Sequence, residues 1–314
     1  MTSYIEIGNY IFRNQVNAVG IKTGRKHFGD KATIKLPNIK GLLEKTIKTN
    51  DPVLIKLGYD GENFQEFTGY VSEVSPKIPL EISCEDEMYQ LRRQEIKSAS
   101  WESISLKKLI DYIVPGANIN CHDITLSPFR IDNDVRSRAE ALQKIKDEFG
   151  LDVYYRGNQL YVGLAYQEKV GEVNFHFQKN AIMGDLFFKR KEDLRLRIKA
   201  ISFDRNNKKT QVEVGDKNGE IHTLHFYNKS AAELKKLALE KINLMKYDGY
   251  RGSFKSKGVP RATHGMIANL DDDKYPERKG SYFIDEIEST YNSSDGFSRK
   301  ITLGRKASEL LIQQ

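Results

Sequence analysis

Short runs of β-branched and aromatic residues are the feature that most restricts how this chain can fold. They occupy residues 5–82 and are separated by glycine, asparagine, aspartate and proline. This alternation of strand-forming runs and turns is typical of a β-meander or a small barrel, and no long helical pattern fits the same residues. Asp60 and Gly61 separate two of the runs and predict a hairpin. We therefore expect a compact β-domain in this part of the chain.

After this β-domain the apolar period changes from that of strands to that of helices. Leucine and isoleucine recur at helical spacing over residues 106–113, behind Ser105 as the N-cap. A second helix is expected to begin at Ser137, because Ser137 and Glu140 have the spacing of a capping box. Glycine and asparagine at positions 157–158 then predict a hairpin. These elements indicate a small α/β module of two helices and a hairpin.

A second β-domain is predicted after Gly184, where strand-like runs return at residues 194–200, 210–214 and 220–226. One helix interrupts it. Ser230 and Glu233 form another capping box, and an apolar stripe at helical spacing follows them. Strand-like runs resume after this helix.

A short echo links the two β-domains. Residues 70–74 (YVSEV) resemble residues 283–287 (FIDEI), and one more strand-like run follows each segment, at 80–84 and 298–303. Two related barrels would explain the echo. Matches of five residues between strands also arise by chance, so the echo alone leaves both explanations open.

Composition excludes several classes of protein. The chain has 314 residues, 39% hydrophobic and 30% charged, which is ordinary for a soluble protein with more than one core. It contains no apolar run of about 18 residues and begins without a secretion signal, so we expect a cytoplasmic protein whose two cysteines, Cys84 and Cys121, stay reduced. The formal charge of +7 is spread along the chain and is a weak indication of nucleic-acid binding.

The motifs that could carry chemistry do not assemble into a recognisable site. His222 and His225 stand three apart on a strand and should point to opposite faces, so we expect no metal site there. Residues 271–273 (DDD) lack the alternating ligands of a calcium loop and are interpreted as a solvated loop. The Gly-rich segment 20–26 lacks the spacing of a phosphate loop, and we attribute it to chance. We expect no catalytic residue and no cofactor, although a carboxylate pair assembled in space would escape this search.

One strand carries a basic stripe. In residues 194–200 strict alternation puts apolar side chains on one face and Arg195, Arg197 and Lys199 on the other. This face is either a solvated outer surface, or a subunit interface or channel wall that touches an acidic partner or nucleic acid.

Taken in order, the segments resemble a known family, the phage late control protein D and Mu-like tail baseplate hub group. That group is related to the hub base of the valine-glycine-repeat spike proteins of type VI secretion. The segments that carry the resemblance are 67–74 (FTGYVSEV), 82–86 (ISCED), the helix 139–149 with its following hairpin, and the run from Gly258 to Gly304 that contains GSYFIDEI and GFSRKITLG.

The resemblance implies a mainly β (α+β) fold with two similar small β-barrels. The first would cover residues 1–98 and the second 184–314, with the α/β module at 99–183 between them and a helix at 230–247 inserted in the second barrel. It implies a structural protein of a contractile tail or tail-like injection system rather than an enzyme.

The resemblance also implies partners and a location. Three copies would form a pseudo-hexameric ring that adapts the hexameric tail tube to a trimeric spike, with tape-measure and other baseplate proteins nearby. Nucleic acid would at most pass through the channel, and the chain would not insert into a membrane. It would be made in the bacterial cytoplasm and then reside in the tail baseplate or injection particle. Because the chain ends at Gln314, we expect the spike to be a separate chain.

Two alternatives remain. A nucleic-acid-binding β-barrel protein would account for the positive charge and the basic stripe. A tail-associated cell-wall hydrolase is suggested only by the likeness to tail proteins.

Overall fold

Strands dominate the fold, as the sequence pattern predicts. The computed structural model describes residues 1–38, 41–126, 128–168, 170–182, 184–203, 208–227 and 229–307, without the side chains of 203, 225 and 227. The strands before the α/β module are β1 (Thr2–Ile7), β2 (Tyr10–Arg13), β3 (Ala18–Gly24), β4 (Lys31–Leu36), β5 (Pro52–Tyr59), β6 (Glu62–Ser75) and β7 (Leu80–Glu85). The next are β8 (Ala99–Trp101), β9 (Ile104–Ser105), β10 (Asn118–Cys121), β11 (Thr125–Leu126), β12 (Phe129–Ile131), β13 (Asp152–Arg156) and β14 (Gln159–Gly163).

The remaining elements complete the description. The later strands are β15 (Glu172–His176), β16 (Ala181–Ile182), β17 (Leu186–Lys189), β18 (Leu196–Phe203), β19 (Lys209–Gly215), β20 (Glu220–Tyr227), β21 (Gly249–Lys257), β22 (Ile267–Asp271), β23 (Gly280–Asn292) and β24 (Gly296–Lys306). The helices are α1 (Leu42–Thr46), α2 (Met88–Arg92), α3 (Leu106–Ile113), α4 (Arg138–Phe149) and α5 (Ala231–Met245). Within the described residues, no helix has both the length and the apolar character needed to cross a membrane.

A single large sheet forms the frame of the molecule. In the described part of the chain it contains fourteen strands, of which β1–β7 make the first half and β15–β17 with β21–β24 make the second half. The two halves meet where β3 pairs antiparallel with β23. The sheet is therefore continuous across the halves.

The two halves repeat one strand order. In the first half the order is β3–β4–β7–β6–β5–β1. In the second half β16 and β17 both pair with β21 and together take the place of β3, and the order continues as β21–β24–β23–β22–β15. The repeat is not complete, because β1 is antiparallel to β5 whereas β15 is parallel to β22. The register shifts between Val71 and Glu73 in the first half, and between Ile284 and Glu286 in the second. These bulges fall at the same place in the two segments of the sequence echo, so the echo marks equivalent strands.

Each half encloses its own core. Alternating residues of β1 to β7, among them Ile5, Ile34, Ile55 and Ile82, are fully buried in the first core. The second core contains Phe254, Tyr282 and Ile301. Two aromatic residues of the second half, Tyr291 and Phe297, pack into the first core, and this shared packing ties the halves together.

The predicted α/β module is present between the halves. Helices α3 and α4 pack with the sheet β10–β14–β13 around one apolar core. Ser137 and Glu140 make the predicted capping box, and Gly150 ends the helix with a φ of 64°. Ser105 stands at the start of α3, but its side chain makes no capping hydrogen bond.

Strands β18–β20 differ from the sequence-based expectation. They were expected to belong to the second barrel, with only a helix inserted, but among the described residues they pair only with one another, in the order β19–β18–β20. Helix α5 covers one face of this small sheet, where Ile198, Leu234 and Ala238 are fully buried. The insertion is therefore a complete small domain with its own core. Strands β15 and β16, expected in the α/β module, instead join the large sheet.

Candidate subunit interface

The basic stripe lies on the face of β18 that α5 does not cover. Ile198 and Ala200 point into the small core, while Arg195 is exposed and Arg197 and Lys199 are half-buried. The alternation predicted from the sequence is confirmed. The structure thus brings the three basic residues together on one outer surface.

An acidic neighbour partly neutralises this surface. Arg197 forms an ion pair with Glu213 of β19, and Lys199 lies directly opposite Glu213 in the strand ladder. Arg195 stands beside Asp216, whose pKa is lowered by its hydrogen bond to Lys246, by the Leu196 backbone N–H and by these positive charges. The surface can still receive an acidic partner, but it is not a uniform band of positive charge.

The three aspartates at residues 271–273 are bonded more closely to the protein than a solvated loop would be. Asp272 is buried, and its Oδ1 accepts hydrogen bonds from the Gln178 side chain (2.7 Å) and the Lys274 backbone (2.9 Å). Asp271 pairs with Lys279 and Asp273 with His176. The expectation of a solvated loop is thus wrong for Asp272. Its bonds lock the turn after β22.

The junction between the two halves contains a charged residue with several ion pairs and hydrogen bonds, Arg25, which directly follows β3. Its Nε donates to Asp285 (2.7 Å), its Nη1 donates to Asp152 (3.0 and 2.9 Å), and its Nη2 donates to the Tyr166 hydroxyl. Lys26 adds a second ion pair to Asp285 at 2.8 Å. One guanidinium therefore joins both halves of the large sheet to the α/β module.

The pKa shifts in this junction follow from burial and charge. Burial opposes ionisation of Asp285, but Arg25 and Lys26 outweigh it and hold the pKa of this carboxyl below its usual value. Burial raises the pKa of Asp152 despite its contact with Arg25. Burial disfavours the charged Arg25, yet the surrounding acids and Tyr166 raise its pKa further. The Arg25–Asp285 pair therefore stays ionised at neutral pH.

A second buried ion pair crosses the junction. Arg299 of β24 is fully buried, and its Nη2 lies 2.7 Å from Glu66 of β6. Burial raises the pKa of Glu66 and lowers that of Arg299. Breaking such a pair on one side is costly, because an uncompensated charge is left inside. The two halves are therefore held in one fixed arrangement.

Two strand edges equivalent to this junction have no partner within the described residues. The first is the outer edge of β16 and β17, and the second is the edge of β6 beyond Val71 that faces away from β7. Large apolar side chains are exposed at these places: Ile78 is 96% exposed, Ile182 60% and Phe187 48%. Apolar side chains beside open strand edges are typical of surfaces that become covered.

Sequence reasoning did not find the Arg25 junction. Arg25 and Lys26 lie in the Gly-rich segment that was attributed to chance, and their partners are distant in the sequence. Two signals were present. The first is Asp285, which stands at the bulge where the YVSEV segment has a serine. The second is Gly304, which follows the last strand-like run, because a Cβ at this position would collide with the Asp285 carboxylate.

Comparison with known proteins identifies the fold. No family model and no curated protein matches the chain. A tail protein from Neisseria meningitidis MC58 matches with a TM-score of 0.69 at 14% identity, over 97% of this chain and 96% of that one. The 43 kDa tail protein of prophage MuSo2 from Shewanella oneidensis matches with a TM-score of 0.65 at 17% identity, over 97% and 98%.

A component of a bacterial secretion machine has a similar fold. The c3393 protein of E. coli, described as a component of the type VI secretion system, matches with a TM-score of 0.58 at 7% identity, over 96% of this chain and 76% of that one. The chain therefore has the mainly β fold of phage tail proteins and of this secretion component. The resemblance predicted from the sequence is confirmed at the level of the fold.

Proposed function

We propose that this chain is the baseplate hub of a contractile phage tail or of a related injection system, with a structural rather than an enzymatic role. The observation that carries the proposal is a tail-protein fold that extends over nearly the whole chain and is built from two repeated half-sheets. A chain with two equivalent halves presents two similar contacts per copy. Three copies can then form a ring with six similar positions.

The junction inside the chain supplies a template for contacts between copies. At this junction Lys22 lies opposite Glu288, and Gly24 opposite Glu286, in an antiparallel ladder between β3 and β23. Lys22 also pairs with Glu286 at 2.9 Å. We infer that the free outer edge of β17 meets the free edge of β6, the one that faces away from β7, of the next copy in the same way.

The ladders inside the chain support a prediction of which residues would meet. The matching bulges in β6 and β23 align the two halves of the sheet. When residues are counted from these bulges along each strand and across each ladder, Phe187 is equivalent to Lys22, and Ser75 is equivalent to Glu288. Phe187 of one copy then lies opposite Ser75 of the next. Two residues along, Lys189 lies opposite Glu73, so opposite charges face each other across this contact between β17 and β6, called the seam below.

The same pairing would cover apolar surface that is now open. Phe187 lies on the β17 edge and is 48% exposed. Ile78, which is 96% exposed, follows Ser75 by three residues, as the buried Tyr291 follows Glu288. Covering large apolar side chains favours association by about 25 cal/mol for each Å² removed from water. Charge and apolar surface therefore support the same seam.

Partners and location follow from this role. We propose that the pseudo-hexameric ring joins a hexameric tail tube to a trimeric spike, and that tape-measure and other baseplate proteins assemble around it. A spike partner is supported by similarity to a chain of the Francisella PdpA-VgrG complex, which matches with a TM-score of 0.55 at 10% identity over 98% of this chain and 58% of that one. Assembly in the cytoplasm and residence in the tail or injection particle belong to the same proposal.

Native mass tests the ring. We expect a mass three times that of the 36.0 kDa protomer, or a monomer–trimer equilibrium, over a range of concentrations. Phe187→Asp should shift the equilibrium toward monomer by at least about tenfold, because it buries a charge in the seam. Leu239→Asp is the matched control, since Leu239 is 44% exposed on α5, which packs on the small sheet and belongs to neither edge. A stable dimer, or a trimer that Phe187→Asp does not weaken, would contradict the proposal.

A further inference from the structure

A cationic cavity lies between the small inserted domain and the large sheet. Its volume is about 710 Å³. Strand β20 and the end of α5 form one wall, and the ends of β21 and β24 form another. It is outside the seam considered above, and the hub proposal assigns it no role.

The positive charge of the cavity exceeds what its own acids can neutralise. Asp152 and Asp285 line it, but both are already bound by Arg25 and Lys26. Three further cations line the same space, and none of them has a carboxylate partner among the described residues: Lys241, Arg251 and Arg305. The side chains that line this cavity therefore carry a net positive charge, which favours the binding of an anionic group.

The contacts of these three cations are consistent with an open site. The Arg251 Nη2 donates to the Met245 carbonyl at 2.9 Å, while its Nε is buried without an acceptor. Arg305 lies over the Tyr166 ring, with 5.5 Å from its guanidinium carbon to the centroid. Burial and then the charges of Arg305 and Arg25 lower the pKa of Lys241. Like charges are thus held close together, and the two carboxylates of the cavity are bound by Arg25 and Lys26 rather than by these cations.

The remaining walls are suited to a polypeptide. Leu224, Leu244 and Leu303 line the cavity beside the cations. Strand β20 pairs with β18 on one edge, and within the described residues its other edge has no ladder partner. A strand edge offers backbone donors and acceptors to an extended peptide. Free phosphate would use the cations only.

We propose that this cavity binds an acidic segment of a protein partner, held in an extended conformation along β20. Its carboxylates pair with Lys241, Arg251 and Arg305, and its apolar side chains lie against Leu244 and Leu303. Charge-assisted hydrogen bonds between arginine and carboxylate give such a site its affinity and its preference for acidic sequences.

Peptide binding tests this site directly. The probe is a fluorescein-labelled octapeptide of alternating glutamate and leucine, titrated with the full chain at low salt and followed by fluorescence anisotropy. Lys241→Gln with Arg305→Gln should weaken binding at least tenfold. Lys235→Gln with Lys236→Gln removes the same charge from the exposed part of α5 and should change affinity less than twofold. Thermal unfolding checks that both variants fold.

Several results would overturn the proposal. The first is that the cavity variant and the control variant bind the glutamate–leucine peptide with equal affinity. The second is that a lysine–leucine octapeptide binds as tightly as the glutamate–leucine peptide. The third is that no binding is detected at about 1 mM peptide. Displacement of the peptide by an equal concentration of inorganic phosphate or of single-stranded DNA would assign the cations to those ligands instead. Hydrogen exchange of residues 220–226 should slow when the peptide binds, and unchanged exchange would exclude pairing along β20.

Discussion

At the scale of single residues, Arg25 shows how a few charges can fix a multi-part fold. It contacts Asp152 of the α/β module and Asp285 of the second half while belonging to the first half. These partners are 127 and 260 positions away in sequence. Local patterns carry no information about such contacts, whereas the outward direction of Arg195 and Arg197 follows from strand alternation and could be predicted. Charged pairs between distant segments therefore had to be observed.

The basic stripe yields a prediction about assembly. Arg195→Glu with Arg197→Glu should leave the fold intact, changing the free energy of unfolding by about 1 kcal/mol or less, because both side chains project away from the small core. The double change should reduce incorporation into tail particles if this face meets an acidic partner. Lys235→Glu with Lys236→Glu, an equal charge reversal on α5, is the control. Unchanged particle yield for the stripe variant would refute an interface role.

His264 yields a prediction about pH. Its ring is buried against Tyr154, with 4.9 Å between centroids, and its Nδ1 has no hydrogen-bond partner. Burial, followed by the charges of Arg156 and Arg25, lowers the pKa of His264 to about 3. Between the ordinary histidine pKa of about 6.5 and this value the unfolded state binds the extra proton, so stability falls as pH falls, by up to about 1.4 kcal/mol per pH unit.

Urea unfolding at several pH values measures this effect. His264→Gln should lose less stability than the natural chain between about pH 6.5 and pH 4.5, whatever its stability at pH 8. The comparison between the two proteins cancels the titration of other groups. Parallel curves of unfolding free energy against pH would show that His264 is not responsible.

At the scale of elements, turns and helix starts could be predicted from residues close in sequence, whereas the pairing of distant strands could not. The hairpin at Asp60 and Gly61 and the capping boxes at Ser137 and Ser230 are confirmed. Each depends on residues close in sequence. The small sheet around β18 was missed, because β18 pairs in parallel with β20, the strand after next, and no local motif reveals that choice.

The two helix starts in the α/β module give a matched pair of variants. Ser137→Ala should lower the free energy of unfolding by about 1 kcal/mol, because the Ser137 hydroxyl accepts a hydrogen bond from the Glu140 N–H. Ser105→Ala should cost only a few tenths of a kcal/mol, since the Ser105 side chain does not cap α3. Chemical unfolding of both variants measures the difference. Equal losses would contradict this account of the helix starts.

At the scale of the whole molecule, a five-residue echo marked a much larger repeat. Sequence alone left the echo open to chance, because a strand segment carries few constraints. The strand order and the matching bulges provide the missing evidence. The same repeat turns the internal junction into a prediction of how copies meet. The boundaries proposed from the sequence, at residues 98 and 183, remain predictions.

Disulfide cross-linking tests the central claim, the seam between copies, most directly. Ser75→Cys with Phe187→Cys places two thiols that should face each other between copies. Lys22→Cys with Glu288→Cys is the internal control, because those residues are opposite within one chain. Mild oxidation of the first variant should give a closed covalent trimer on a non-reducing gel, while the control stays monomeric with an internal disulfide. If the control forms its disulfide and the first variant gives no covalent species beyond background, the proposed ring is wrong.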